Sequence, residues 1–298
     1  MSVSVAEYLG QRTDIVSPVI TPTTSGNCPF MNAPCSKIAG RHKPVCIVRL
    51  TNGQIWIVCK NRLSATNKNI SLLPHQTDVL LNIARSIVSP NIQPSDVLVK
   101  REVPVPVVGR STYKADYVML IQNQVTQFTS HTMALIEMQG GGETSNTGDL
   151  TEHIKKWETT QPYSNQLLAK IVDGVNPIET NAWRRQQEQF IVKGNIVQQT
   201  GGVMVLCLGA PLYDYLFKKV QSNNLPSLRQ ANWTLALIGF SEVKQNNPGP
   251  IQIEIDKNRM IFTNYMTFVQ ALINQGGPVP KMFKREFTSL TGNRIIIP

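Results

Sequence analysis

Two short apolar runs, Tyr117–Ile121 and Met133–Ile136, constrain the chain more than any other feature. Both are rich in residues that suit a pleated surface, and a polar Gln/Thr/Ser segment separates them, so they are expected to be neighbouring strands. Each carries an acid at one end: Asp116 precedes the first, and Glu137 closes the second, with Gln139 two positions further on. Side chains alternate along a strand, so Glu137 and Gln139 should share one face while Met138 takes the other. An Asp on one strand and Glu-x-Gln on its neighbour can converge oxygen ligands on a hard divalent cation such as Mg²⁺. That is the skeleton of a metal-dependent phosphodiesterase site. Gly140, Gly141 and Gly142 follow without the Lys-Ser/Thr of a nucleotide-binding loop. Three glycines permit close backbone approach, and the expected visitor is the scissile strand of a polymer.

Four of the five cysteines, Cys28, Cys35, Cys46 and Cys59, crowd into the first fifth of the chain. Asn52-Gly53 is a two-residue hairpin signal that would set Cys46 directly opposite Cys59. Such a pair can form a disulfide or offer two thiolates to one metal, and a reducing compartment favours the metal. Cys28 and Cys35 would complete a tetrahedral set, with Zn²⁺ the default and iron the alternative. Residues 1–27 are polar and read as an arm, with a short helix over Val5–Leu9. The domain boundaries expected are 1–65 for the arm and cysteine module and 66–298 for a catalytic core.

Helical spacing marks residues 76–88, the stretch from Asp149, a continuation through Tyr163–Val172 with Leu167, Leu168 and Ile171 on one face, and a helix from Asn176-Pro177 through Phe190. Val203–Leu208 and Trp233–Phe240 are continuous apolar runs with a helix, Leu212–Val220, between them. That β-α-β unit predicts an α/β fold whose mixed sheet is covered on both faces. A net charge of +10 favours polyanions over membranes. Arg184 and Arg185 are candidates for phosphate or guanine contact, and Lys281, Lys284 and Arg285 for contact with DNA or a second subunit. With no leader-like start and no apolar run of membrane-spanning length, the expected location is the cytoplasm. Four histidines without HxH or HExxH spacing argue against an HNH nuclease, a zinc protease or a deaminase.

Asp116 with Glu137-Met138-Gln139 resembles the PD-(D/E)XK nuclease pattern, with Gln139 where most members keep Lys. More narrowly, Ala134-Leu-Ile-Glu-Met-Gln-Gly-Gly-Gly-Glu-Thr144, together with Gly26-Asn-Cys-Pro-Phe-Met-Asn-Ala-Pro-Cys-Ser-Lys37, resembles the NotI/EagI-type type II restriction endonucleases. The resemblance implies a PD-(D/E)XK core and Mg²⁺ held by Asp116 and Glu137, with Gln139 beside them. It also implies an additional upstream acid, for which Glu102 stands in place, and a single structural iron, rather than zinc, on the four cysteines. A homodimer cutting a GC-rich palindrome containing CGGCCG follows from it, as does a cognate DNA methyltransferase that protects host DNA. A neutral amide at Gln139 can supply neither a base nor a positive charge. The competing readings are a non-catalytic DNA-binding protein and a repair-type nuclease of the same fold.

Overall fold

The computed structural model describes residues 2–39, 42–65, 71–105, 113–122, 133–142, 144–221, 225, 228, 232–245, 248–274 and 285–297. Its centre is a six-stranded mixed sheet, ordered Ile253–Thr263, Leu235–Glu242, Val203–Gly209, Met133–Gln139, Tyr113–Ile121, Val97–Val105. The strands from Val97 to Gln139 form an antiparallel meander. Met133–Gln139, Val203–Gly209 and Leu235–Glu242 run parallel, and Ile253–Thr263 returns antiparallel. The expected β-α-β unit is present, with the helix Ala210–Gln221 as its crossover. Val203–Gly209 is buried throughout, as a strand covered on both faces must be. One face packs Leu80, Ile83, Ala84 and Ile87 of the helix Pro74–Ile87 onto Tyr117, Met119 and Ile136. The other face packs Phe190, Leu212, Leu216 and Phe268 of three further helices onto Leu206, Leu235 and Leu237. Each such fully buried side chain contributes about 1.5–3 kcal/mol of transfer free energy.

A second, five-stranded sheet is built on Ser2–Tyr8, which lies between Val45–Leu50 and Val172–Asp173, with Ile55–Ile57 beyond Val45–Leu50. The expected arm with a helix over Val5–Leu9 is therefore a strand. Ser2-Val3-Ser4-Val5 alternates with the period of two that a half-buried strand requires, and Val3 and Val5 are buried. The helix expected over Tyr163–Val172 is confined to Asn165–Leu168. Val172 instead pairs with Val3, and Ile171 is 66% exposed. A buried ion pair ties this sheet inward: Arg62 Nε donates to Glu7 Oε1 at 2.7 Å, and the other Glu7 oxygen accepts from Ile251 N at 2.7 Å.

The cysteine hairpin departs from its expected register. Leu50 N donates to Gln54 O and Gly53 N to Leu50 O, so the loop is Thr51-Asn52-Gly53, with Gly53 at φ +85°. That three-residue turn with a left-handed glycine displaces the pairing by one, giving Ile47 opposite Ile57 and Arg49 opposite Ile55. Cys46 therefore does not face Cys59 squarely. A bulge restores the proximity, because Val58 N and Cys59 N both donate to Cys46 O, at 3.0 and 3.1 Å. The terminal strands Arg285–Thr288 and Arg294–Ile297 pair with each other. No helix among the described residues is long and apolar enough to cross a membrane.

Candidate active site

The strand registers set three acids in one row. Arg101 pairs with Tyr117 and Val103 with Ala115, so Glu102 falls opposite Asp116. Tyr117 pairs with Ile136, so the next position puts Asp116 opposite Glu137. Glu102 has φ +45° in mid-strand, a left-handed conformation that costs a non-glycine residue on the order of 1 kcal/mol or more and clusters at functional sites. Its carboxylate lies 3.8 Å from Lys114 and raises the pKa of Asp116 through repulsion.

Glu137 is the buried member of the row, and Asp116 lies half-buried beside it. Asp116 Oδ2 accepts a hydrogen bond from Met138 N at 2.8 Å, which aims the carboxylate at the Glu137 strand. Glu137 Oε2 accepts from Lys193 Nζ at 2.8 Å, and Glu137 Oε1, also buried, has no hydrogen-bond partner among the described residues. Burial, followed by repulsion from Asp116, pushes the Glu137 pKa up to about 7, although Lys193 pulls against both. Burial also raises Asp116, against the Met138 N–H and the Lys193 charge.

Lys193 was not among the residues expected from the sequence. It sits on the helix Glu179–Gln199, its side chain 1% exposed, in the buried stripe of Phe190, Lys193, Gly194 and Val197. A lysine at apolar helical spacing is the signal that marks it. Its neighbour Gly194 lets the helix settle on Tyr265: a Cβ there would stand 2.1 Å from the ring, whose hydroxyl donates to Ile191 O at 2.7 Å.

Gln139 shares the face of Glu137, as the alternation requires, but both ends of its amide are engaged. Its Nε2 donates to Gly141 O, and its Oε1 accepts from Gln186 Nε2 at 2.9 Å. It is a strut between the glycine loop and the long helix. The chain's own cysteine hairpin packs against one side of the glycines, while Gly141 and Gly142 also line an open groove. Gly142 N donates to Ile57 O at 3.1 Å, and Trp56 Nε1 donates to Gly142 O at 2.9 Å. A Cβ on Gly141 would lie 2.8 Å from Ile57 O, and one on Gly140 2.7 Å from Ile57 Cγ2.

A cavity of about 370 Å³ opens between the hairpin and the long helix, with Gln139 and Gly142 in its floor and Lys37, Lys60 and Arg185 among its walls. Lys60 is close enough to lower the Asp116 pKa. Of the five basic residues singled out in the sequence, Arg185 lines this groove, and Arg184 is exposed beside it on the helix. Arg285 begins the terminal hairpin, and Lys281 and Lys284 lie outside the described residues.

Cys28, Cys35, Cys46 and Cys59 are all buried free thiols in one apolar cluster. Burial raises Cys28, Cys46 and Cys59, while backbone N–H groups of Phe30, Gly10 and Asn61 respectively favour their thiolates. Among the described residues, no three His, Cys, Asp or Glu side chains are gathered as a metal-holding group. Cys207 is fully buried in the core of the central sheet, and its thiol is raised by burial as expected of an inert cysteine. No protein-family model matches the chain, and no curated protein matches it.

Proposed function

We propose that this chain is a Mg²⁺-dependent type II restriction endonuclease with a PD-(D/E)XK core, cutting both strands of duplex DNA as a symmetric homodimer. The observation that carries the reading is the Asp116–Glu137 pair, with one buried carboxylate oxygen left without a partner among the described residues, beside a buried lysine. A binding protein has no use for that oxygen, whose isolation costs about 1–3 kcal/mol, whereas a metal enzyme reserves it for a ligand. Mg²⁺ fits this donor set, since it is commonly held by one or two carboxylates and completes its shell with water and substrate phosphate. Bound there, the ion would supply Lewis acidity and a lowered pKa for water.

The chain's own residues do the rest. The Met138 N–H fixes Asp116, Lys193 fixes Glu137, and Gln139 holds the glycine loop against the long helix. Lys37, Lys60 and Arg185 flank the groove where phosphates adjoining the scissile bond would lie. Hydrolysis adds the oxygen of water to phosphorus and breaks one P–O bond, with the proton of water passing to solvent and the leaving oxygen taking one up. The antiparallel meander followed by a helix and a parallel strand agrees with the core that the resemblance implies. Glu102 is the third acid of the row, and the resemblance implies a structural iron, or zinc, on the four cysteines, although the described side chains are not gathered into a metal-holding group. The target is a GC-rich palindrome, protected in the host by a cognate methyltransferase.

The test is digestion of a fully sequenced phage DNA with Mg²⁺ and with EDTA. Discrete fragments with one common terminus, lost in EDTA and lost in Glu137→Ala while DNA affinity persists, are the expected result. A smear would favour a repair-type nuclease, and intact DNA that still shifts in a gel would leave a DNA-binding protein.

A further inference from the structure

The strand Ile253–Thr263 closes one side of the central sheet, and among the described strands nothing pairs with its outer edge. Val243 N donates to Gln252 O at 2.9 Å, so Gln252 and Glu254 are the rungs bonded to the neighbouring strand. Ile253 and Ile255, on the alternate rungs, turn their main-chain N–H and C=O groups outward. Beside this edge runs a groove of about 630 Å³, whose other wall is the outer stripe of the helix Pro74–Ile87. Two buried nitrogens in it, His75 Nε2 and Arg85 Nε, have no hydrogen-bond partner among the described residues. Their positions on the helix are about 15 Å apart, so an elongated ligand suits them better than a single ion. A strand added at the open edge would carry carbonyl oxygens along the groove, and an acceptor is what the Arg85 donor lacks.

The same chain carries a strand pair that lacks a sheet to join. In the terminal hairpin, Arg285–Thr288 with Arg294–Ile297, the hydrogen bonds and the ion pair are all internal among the described residues, and no side chain joins a hydrophobic cluster of the body. A two-stranded hairpin is marginal alone, and Ile295 and Ile296, 51% and 79% exposed, form a β-branched run that an uncovered edge leaves open to aggregation. We propose that the terminal hairpin of a second copy of this chain docks on the Ile253–Ile255 edge, lengthening the central sheet and lying in the groove against the helix Pro74–Ile87. This deepens the nuclease reading by supplying the interface of its homodimer, and rests on that reading for the need of a second copy. Charge agrees with it. Asp78 and Glu254 stand exposed in the groove with no cation paired to them among the described residues, and they outnumber Arg85, because Arg62 is already held by Glu7. Residues 281–297 carry Lys281, Lys284, Arg285 and Arg294 against Glu286 alone. That imbalance favours the hairpin over a nucleic-acid strand, whose phosphates the two acids repel. The exchange is reciprocal: each copy gives one hairpin and receives one, so the contact closes at two chains instead of growing into a filament.

The experiment is sedimentation velocity on the full chain, as wild type, Ile253→Pro and Ile296→Lys, at micromolar concentration without DNA, with melting temperature as the check on folding. Proline removes only an outward N–H at the first residue of an edge strand, and Ile296 lies outside the core, so both variants should fold. Wild type should be a dimer, and each variant should dissociate at least about tenfold more readily. Mixing the two variants should restore part of the association, because the mixed pair regains one contact between an intact hairpin and an intact edge. A damaged fold gives no such rescue, and Glu254→Lys, which sets a cation against the basic hairpin segment, takes the place of Ile253→Pro should that variant fail to express. A monomeric wild type, a dimer untouched by these substitutions, or variants that dissociate without mutual rescue would each overturn the proposal. A hairpin-dependent dimer that cuts no DNA with Mg²⁺ would overturn the nuclease reading and leave the interface standing; a dimer that cuts DNA and ignores the substitutions would do the reverse.

Discussion

Glu137 divides its carboxylate between two duties: Oε2 is held 2.8 Å from Lys193 Nζ, and Oε1, also buried, has no partner among the described residues. Removing either member of such a pair strands the other as an unpaired buried charge, at a cost of about 3–5 kcal/mol. The pair therefore links stability to the chemistry of the site.

The first consequence is a dependence on pH. The Glu137 pKa rises from an ordinary 4.5 to about 7 on folding, so between those values the folded chain holds a proton that the unfolded chain has lost. Stability from this group is greatest below pH 4.5 and declines as pH rises through about 7, by at most about 3 kcal/mol. The melting temperature of metal-free protein should fall from pH 5 to pH 8 and recover on adding Mg²⁺ at pH 8. A flat profile, or one unchanged in Glu137→Gln, would contradict this. Cleavage at limiting Mg²⁺ should rise over the same interval, as the carboxylate ionises.

Gly194→Ala should lower the melting temperature although alanine is the better helix former. The propensity gain is about 1 kcal/mol, whereas a Cβ placed 2.1 Å from the Tyr265 ring forces the helix off its seat at a cost of about 1–3 kcal/mol or more. The displacement also moves Lys193, so cleavage should drop more than stability alone explains. An alanine variant as stable and active as wild type would show that Tyr265 yields freely.

Lys60→Ala and Arg185→Ala should each weaken DNA binding evenly across sequences and reduce the slope of log affinity against log salt by about 1. Fluorescence anisotropy with cognate and scrambled duplexes in Ca²⁺ separates this from base readout. Loss confined to the cognate duplex would place these side chains on bases rather than phosphates.

Freshly purified protein should contain close to one equivalent of iron plus zinc per chain, and Cys59→Ala should lose it along with much of its stability. Elemental analysis decides this, and less than half an equivalent in fresh wild type would remove the four-cysteine metal.

The elements that the sequence made legible were those whose burial is written in local pattern. The Asp116 and Glu137 strands, the β-α-β unit from Val203 and the helix over residues 76–88 each follow from periodicity. Where long-range pairing decided the outcome, local pattern misled. Asn52-Gly53 fits a tight two-residue turn, but the sheet adopted a wider loop and a bulge at Val58-Cys59. The polar lead-in became a strand because Val45–Leu50 and Val172–Asp173 were there to pair with it. Lys193 lies 56 residues from Glu137, and only packing of the long helix brings them together. The helical spacing shared by Phe190, Lys193 and Val197 was the one local trace of it.

The seam at Ile57 and Gly141 gives the cysteine hairpin a standing that an appended module would lack. Main-chain hydrogen bonding runs from one sheet into the other across it, and the residues joined belong to the glycine loop that ends the Glu137 strand. Such a hairpin is not portable cargo. Excised or grafted elsewhere, it would take with it the cover of the loop that ends the catalytic strand, so hairpin and strand can change over evolutionary time only in step with each other.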